Sequence, residues 1–91
     1  MATALTFTQN PQDQWEASFI ASGERVGVEV NRSSSGPLIV LASIDGLSKQ
    51  TIHSFSPDSG ADIIFEVDVP AEIEISIISF TEVTSAKVTG L

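Results

Sequence analysis

The chain has 91 residues, no cysteine, and 12 acidic against 4 basic side chains, which gives a formal net charge of −8. A chain of this length forms one domain, so we expect a single unit over residues 1–91. The negative charge argues against nucleic acid and anionic membranes as partners, because both require a cationic surface. Without cysteine there is no disulfide framework or thiolate chemistry, and burial and hydrogen bonds have to hold the fold.

The beginning of the chain shows neither an export signal nor a membrane anchor. Its first residues, Met1 to Thr6, include no basic side chain and no continuous apolar run, and no segment of the chain approaches the roughly 20 apolar residues of a membrane span. We therefore expect no signal peptide and no transmembrane segment, which is compatible with a cytoplasmic location.

The residue types and their periodicity predict β-structure throughout. The chain contains 10 Ile, 8 Val and 7 Thr, and β-branched side chains of this kind pack well on a pleated sheet but lose freedom in a helix. Apolar residues recur at every second position in successive runs, and no helical stripe is present. In chain order, the predicted strands are 3–8, 14–21, 25–30, 37–44, 47–55, 62–69, 72–80 and 83–89.

Turn-forming residues separate these runs. Asn10-Pro11 ends the first strand, and Ser22-Gly23-Glu24 is short enough to close a hairpin between the second and third strands. The segment from Asn31 to Pro37 reads as a polar loop. Asp45-Gly46 predicts a two-residue hairpin turn of type I′, since both positions favour a positive φ.

About eight short strands at this spacing predict a sandwich or a small barrel. We favour a single antiparallel two-sheet β-sandwich, either jelly-roll-like or Ig-like. The hallmarks of true Ig domains, a pair of cysteines and a tyrosine corner, are missing because the chain has neither Cys nor Tyr.

Seven of the twelve acidic residues lie within residues 58–82. If the strands 62–69 and 72–80 pair, their carboxylates share one outer face, which is either a solvated surface that discourages edge pairing or a Ca²⁺ site. The Asp-rich loop that usually binds Ca²⁺ is absent, so we assign no metal ligand and no cofactor.

His53 is the single histidine, which excludes a metal site made of several His side chains. The Gly-x-Ser-x-Gly motif of a nucleophilic serine is absent, and paired carboxylates need a cleft that a small sandwich scarcely provides. We therefore assign no catalytic residue and expect the protein not to be an enzyme.

The aromatic residues fit a core better than a binding surface. Trp15 and Phe19 alternate in register, as does Phe65 with its neighbours, so we expect Trp15, Phe19 and Phe65 to be core aromatics. Carbohydrate-binding sandwiches use exposed aromatic platforms, but one Trp, five Phe and no Tyr supply such a platform poorly.

Two segments place apolar side chains on both faces of a predicted strand. The run Leu38 to Leu41 is apolar at every position, and Ile78 and Phe80 share a face with Glu72 and Glu74 earlier in the same strand. Either a β-bulge returns Ile78 and Phe80 inward, or another subunit covers them. The predicted subunit interface comprises Leu38, Ile39, Val40, Leu41, Ile78 and Phe80.

The strand pattern resembles small β-sandwich proteins encoded among the structural genes of phages and prophages of gut Bacteroidetes. The resemblance lies in a Thr-rich first strand, in the runs 14–19, 25–30 and 62–67, in a proline at the following turn, and in Ile73-Glu74-Ile75. It implies a virion component of the head-decoration or fibre type, without an active site, located in the virion or the cytoplasm.

These observations lead to one functional hypothesis and one alternative. We expect a non-enzymatic structural module that associates with copies of itself or with other structural proteins through apolar strand faces, with a small-molecule ligand unlikely. The alternative is a small ligand-binding module for carbohydrate or Ca²⁺.

Overall fold

The computed structural model describes residues 2–22, 25–44, 47–68 and 72–90, and it consists of nine strands and connecting loops. The strands are β1 (Ala2–Ala4), β2 (Thr8–Gln9), β3 (Trp15–Ser22), β4 (Arg25–Arg32), β5 (Leu38–Ser43), β6 (Gln50–Phe55), β7 (Ile63–Asp68), β8 (Glu72–Ser79) and β9 (Val83–Thr89). The described part of the chain contains no helix long and apolar enough to cross a membrane.

The strands form two antiparallel sheets, which confirms the predicted all-β sandwich. The four-stranded sheet has the order β1-β9-β4-β7, and the five-stranded sheet has the order β2-β3-β8-β5-β6. The strands pair as in one long hairpin folded on itself: β1 with β9, β3 with β8, β4 with β7, and β5 with β6. Successive pairs in this series belong to alternate sheets. This is the jelly-roll arrangement, and it differs from the strand order of an Ig domain.

The first predicted strand, 3–8, is divided between the two sheets. β1 pairs with β9 in one sheet and β2 pairs with β3 in the other, and the amide of Leu5 donates to the carbonyl of Ala86 at 2.9 Å where the chain crosses. The crossing places Leu5 and Phe7 against the core.

The predicted hairpins have different outcomes. β3 and β4 lie in different sheets, so the hairpin expected between them is wrong. β5 and β6 do form an antiparallel hairpin, and the amide of Leu47 donates to the carbonyl of Ile44 at 2.9 Å across the expected turn. The turn residues Asp45 and Gly46 lie outside the described residues, as do Gly23, Glu24 and the segment 69–71.

The core lies between the sheets and consists of the alternating inward side chains of both. The four-stranded sheet contributes valines from β4, Ile63 and Phe65 from β7, and Ala86 and Val88 from β9. The five-stranded sheet contributes Ala21, Leu38, Val40, Ile75 and Ile77. Because regular alternation places every second residue inward, the sequence pattern translates directly into this core.

Candidate functional site

The predicted subunit interface is divided by the structure between the core and the outer surface. Leu38 and Val40 are fully buried between the sheets, because they alternate inward on β5 and therefore cannot contact another subunit. Ile39, Leu41 and Ile78 are half-buried on the outer face of the five-stranded sheet, where Ile39 pairs with Ile78. Phe80 follows the end of β8 and is 46% exposed.

The predicted core aromatics occupy different environments. Phe65 is buried in the core and Phe19 packs against it. Trp15 is half-buried at the start of β3, where it pairs with Gln9 and Ser79 at one end of the sandwich.

The acidic residues of 58–82 do not share one face. β7 pairs with β4, and β8 pairs with β3 and β5, so the two acidic strands belong to opposite sheets and the predicted joint carboxylate surface is wrong. Across the described residues, no group of three or more His, Asp or Glu side chains is placed to hold a metal ion. The Ca²⁺ form of the ligand-binding alternative therefore gains no support.

A groove opens where the edge strands of the two sheets face each other. β6 ends the five-stranded sheet and β7 ends the four-stranded sheet on the same side of the sandwich. The groove between them, here called the edge groove, has a volume of about 320 Å³. Its floor is Ala42, Ile73 and Ile75, and its walls are Ile52 and His53 from β6 and Glu66, Val67 and Asp68 from β7.

A β-bulge in β6 shapes one wall of the edge groove. His53 pairs with Val40 and Thr51 pairs with Leu41, so Ile52 is the extra residue between two consecutive partners. In a regular strand, neighbouring side chains point to opposite faces. The bulge instead allows Ile52 and His53 to line the same groove, which is the way in which bulges redirect side chains at binding sites.

The ring of His53 packs against two phenylalanine rings, those of Phe55 and Phe65. The ring of His53 lies 4.5 Å from that of Phe55 in an edge-to-face arrangement and 5.9 Å from that of Phe65 across the open side of the sandwich. Phe55 and Phe65 are 5.4 Å apart, so the three rings contact one another. Ring contacts at these distances stabilise both partners, and the two tilted contacts of Phe65 connect β7 to β6.

The strand that forms the opposite wall, β7, contains two acidic residues with different surroundings, and both alternate with its inward residues Phe65 and Val67. Arg25 Nε donates to Asp68 Oδ1 at 2.8 Å, and this hydrogen bond together with the charge of Asp68 raises the pKa of Arg25 above its ordinary value. Asp68 is thereby partly neutralised. Glu66, two residues earlier on the same strand, has no ion-pair partner within the described residues and is the freer acceptor.

A second depression, here called the apolar arm, continues the edge groove. It has a volume of about 260 Å³ and shares Ala42, Ile52 and Ile73 with the edge groove. Its other lining residues are Ile44, Leu47, Ser48 and Gln50, from the connection between β5 and β6. The open side of the sandwich therefore has a polar end near Glu66 and an apolar end near Leu47.

Sequence reasoning missed the groove because its residues come from two strands that are not paired. His53 was recognised only as a lone histidine, and Glu66 and Asp68 only as part of an acidic stretch. The exposed Ile52 beside a histidine was a possible signal, because an apolar residue on an otherwise polar edge strand suggests a bulge or a contact.

Comparison with known proteins gives the fold a context but no family. No protein-family model and no curated protein matches the chain. Among solved structures, a point mutant of the carbohydrate-binding module CBM29-2 is 12% identical, with 96% of this chain aligned to 73% of that chain and a TM-score of 0.46. A second mutant of CBM29-2 is 11% identical (98% and 70% covered, TM-score 0.45), and a mutant of a family 29 carbohydrate-binding module is 10% identical (98% and 74% covered, TM-score 0.43).

These comparisons correct the functional hypothesis drawn from the sequence. The three similar solved structures given above are carbohydrate-binding modules and not virion proteins, so the expected virion structural module is wrong. Identities of 10–12% and TM-scores of 0.43–0.46 relate these proteins to the chain in fold alone.

Proposed function

We propose that the chain is a non-catalytic binding module that takes a neutral, hydroxyl-rich ligand of the carbohydrate class in the edge groove. The observation on which this rests is the bulge at Ile52, which brings an apolar side chain and an imidazole to one wall of a groove whose other wall is the β7 segment Glu66 to Asp68. A jelly-roll sandwich holds both walls on strands, and a site on strands is more rigid than a site on loops.

The chemistry of the groove matches a sugar. A sugar ring presents hydroxyl groups that donate to carboxylates and a C–H face that packs on apolar side chains. In the edge groove, Glu66 accepts such hydrogen bonds while Ile52 and Ile73 offer the apolar contact. Because the chain has a net charge of −8, a neutral ligand is favoured over an anionic one.

The arrangement of the acids supports binding without catalysis. Glycoside hydrolysis needs two carboxyl groups on either side of the scissile bond. Glu66 and Asp68 are two residues apart on one strand and so lie on the same wall, whereas the facing strand β6 contributes no carboxylate. Asp68 is in addition paired with Arg25.

Titration calorimetry with a panel of neutral oligosaccharides tests the proposal. We expect saturable binding by at least one sugar, with the chemical shifts of His53 and Glu66 changing during a parallel NMR titration. Glu66→Gln should weaken binding by about ten- to a hundredfold, the range of one hydrogen bond to a charged group.

Glu82→Gln is the matched control, since Glu82 is exposed in the turn between β8 and β9 at the other end of the sandwich. It should leave the affinity unchanged within experimental error. The proposal is wrong if no sugar of the panel binds, or if Glu66→Gln binds as tightly as the native protein.

A further inference from the structure

The apolar arm gathers exposed hydrophobic side chains into one place. Among the described residues, Leu47 is 67% exposed, Ile44 48% and Ile52 46%. Single exposed apolar residues are ordinary on protein surfaces, but three that line one depression form a contact surface. Contact between apolar side chains and water is unfavourable, so a ligand that covers these side chains gains binding free energy.

The apolar arm is continuous with the edge groove. Ile52 and Ile73 belong to both, so a ligand seated against Glu66 and His53 can extend over Ile52 toward Leu47 and Ile44. The two halves differ in chemistry: carboxylates and an imidazole at one end, and mainly aliphatic side chains at the other. A ligand that matches both halves is itself amphipathic.

We infer that the ligand of this protein is a neutral amphipathic glycoside, with its sugar in the edge groove and an alkyl or aryl aglycone in the apolar arm. The inference rests on the proposed function and adds the class of the ligand. The charge of the site selects against fatty acids and other anionic amphiphiles, because Glu66 and Asp68 stand at the polar end and the chain carries a net charge of −8.

The test compares methyl β-glucoside with n-hexyl β-glucoside, the latter below its critical micelle concentration, by titration calorimetry. Full burial of a methylene raises affinity by about fourfold, so five additional half-buried methylenes should raise it by roughly thirtyfold. Leu47→Ser should reduce this gain to below about fivefold and leave the affinity for methyl β-glucoside unchanged.

Ile64→Ser is the matched control. Ile64 is 76% exposed on β7 and lines neither the edge groove nor the apolar arm, so its removal should leave both affinities unchanged. Both substitutions replace an exposed aliphatic side chain, and neither disturbs the core.

The outcomes separate the inference from the proposed function. If methyl β-glucoside binds and the hexyl chain adds nothing, or if the gain survives Leu47→Ser, the inference is overturned while the sugar site stands. If neither glucoside nor any sugar of the panel binds, both fail. Light scattering that shows a dimer, dissociated by Leu47→Ser, would assign the apolar arm to a second copy and also overturn the inference.

Discussion

Arg32 donates a 2.6 Å hydrogen bond from its guanidinium to the backbone carbonyl of Gly60, 28 residues further along the chain. The same guanidinium donates to the carbonyls of Ala61 at 3.1 Å and Gly36 at 2.8 Å, and more weakly to Pro37 and Ser79. Burial lowers the pKa of Arg32 from its ordinary value. A single cation therefore joins the loop after β4 to the loop after β6, at the end of the sandwich away from the edge groove.

Replacing Arg32 should destabilise the fold strongly. Arg32→Met removes the donors and leaves several carbonyls with fewer partners, so we expect a loss of about 2–4 kcal/mol in the free energy of unfolding. Urea denaturation followed by circular dichroism measures it. Arg25→Met is the control, because Arg25 is exposed, and its effect should stay within experimental error; an equal loss for both would mean that the Arg32 hydrogen bonds add no stability.

Gly36, in the loop after β4, leaves no space for a side chain because Thr81 packs against it. A Cβ at Gly36 would lie 2.7 Å from Cγ2 of Thr81, whose hydroxyl donates to the carbonyl of Ser34 at 2.9 Å and so resists rotation. Gly36→Ala should therefore destabilise by about 1–3 kcal/mol. Thr81→Ser removes the obstructing methyl group and keeps the hydroxyl, so the double variant should recover most of the loss in urea denaturation. Additive losses would show that the methyl group is not the obstacle.

Two adjacent isoleucines on β8 provide a test of the layer assignment. Ile77 is fully buried between the sheets, whereas Ile78 is half-buried on the outer face. The same substitution to valine should cost about 1 kcal/mol at Ile77 and only a few tenths at Ile78. Thermal and urea unfolding of both variants measure the difference. A larger loss at Ile78 would mean that its face is covered in solution.

The strands themselves could be predicted from the sequence, but their partners could not. The apolar residues Val26, Val28 and Val30 alternate with a glycine and a glutamate, which identifies a strand with one face toward the core. The pattern contains no information about which strand lies beside it. The acidic strands β7 and β8 illustrate the difference: they are neighbours in sequence, yet the rolled hairpin sends them to opposite sheets. The jelly-roll order follows from long-range pairing, which local pattern does not encode.

Neither the bulge at the edge groove nor the hydrogen bonds of Arg32 could be read from the sequence, each for a physical reason. The bulge at Ile52 is a property of register between β5 and β6, and its neighbours Thr51 and His53 look like an ordinary strand in the sequence. Arg32 is one of four basic residues in the sequence and has no local pattern that marks it, because the carbonyls that accept its hydrogen bonds come from distant loops. Residue type therefore predicted local structure here, whereas function depends on contacts between segments.

Two buried serines on β8 should respond to alanine in opposite directions. Ser76 Oγ is buried and has no hydrogen-bond partner within the described residues, while Ser79 Oγ donates to the carbonyl of Thr81 at 2.8 Å. Removing an unpaired buried hydroxyl relieves a desolvation cost, so Ser76→Ala should stabilise the fold by up to about 1 kcal/mol. Ser79→Ala should destabilise it by a similar amount. Urea denaturation decides, and destabilisation by Ser76→Ala would mean that its hydroxyl is paired in solution.

The ion pair between Arg25 and Asp68 beside the edge groove should determine how strongly the site binds a cationic ligand relative to a neutral one. Arg25→Gln leaves Asp68 uncompensated at the groove wall, so a cationic amphiphile such as n-hexylammonium should bind about two- to fivefold more tightly at low salt, with the gain declining as the ionic strength increases. The affinity for n-hexyl β-glucoside should change by less than about twofold, since a neutral ligand does not respond to net charge. Lys87→Gln removes an exposed cation from β9, two strands away from β7, and is the control for the change in overall charge. Calorimetry with both ligands on the three proteins measures the effect, and equal responses to Arg25→Gln and Lys87→Gln would show that Asp68 does not face the bound ligand.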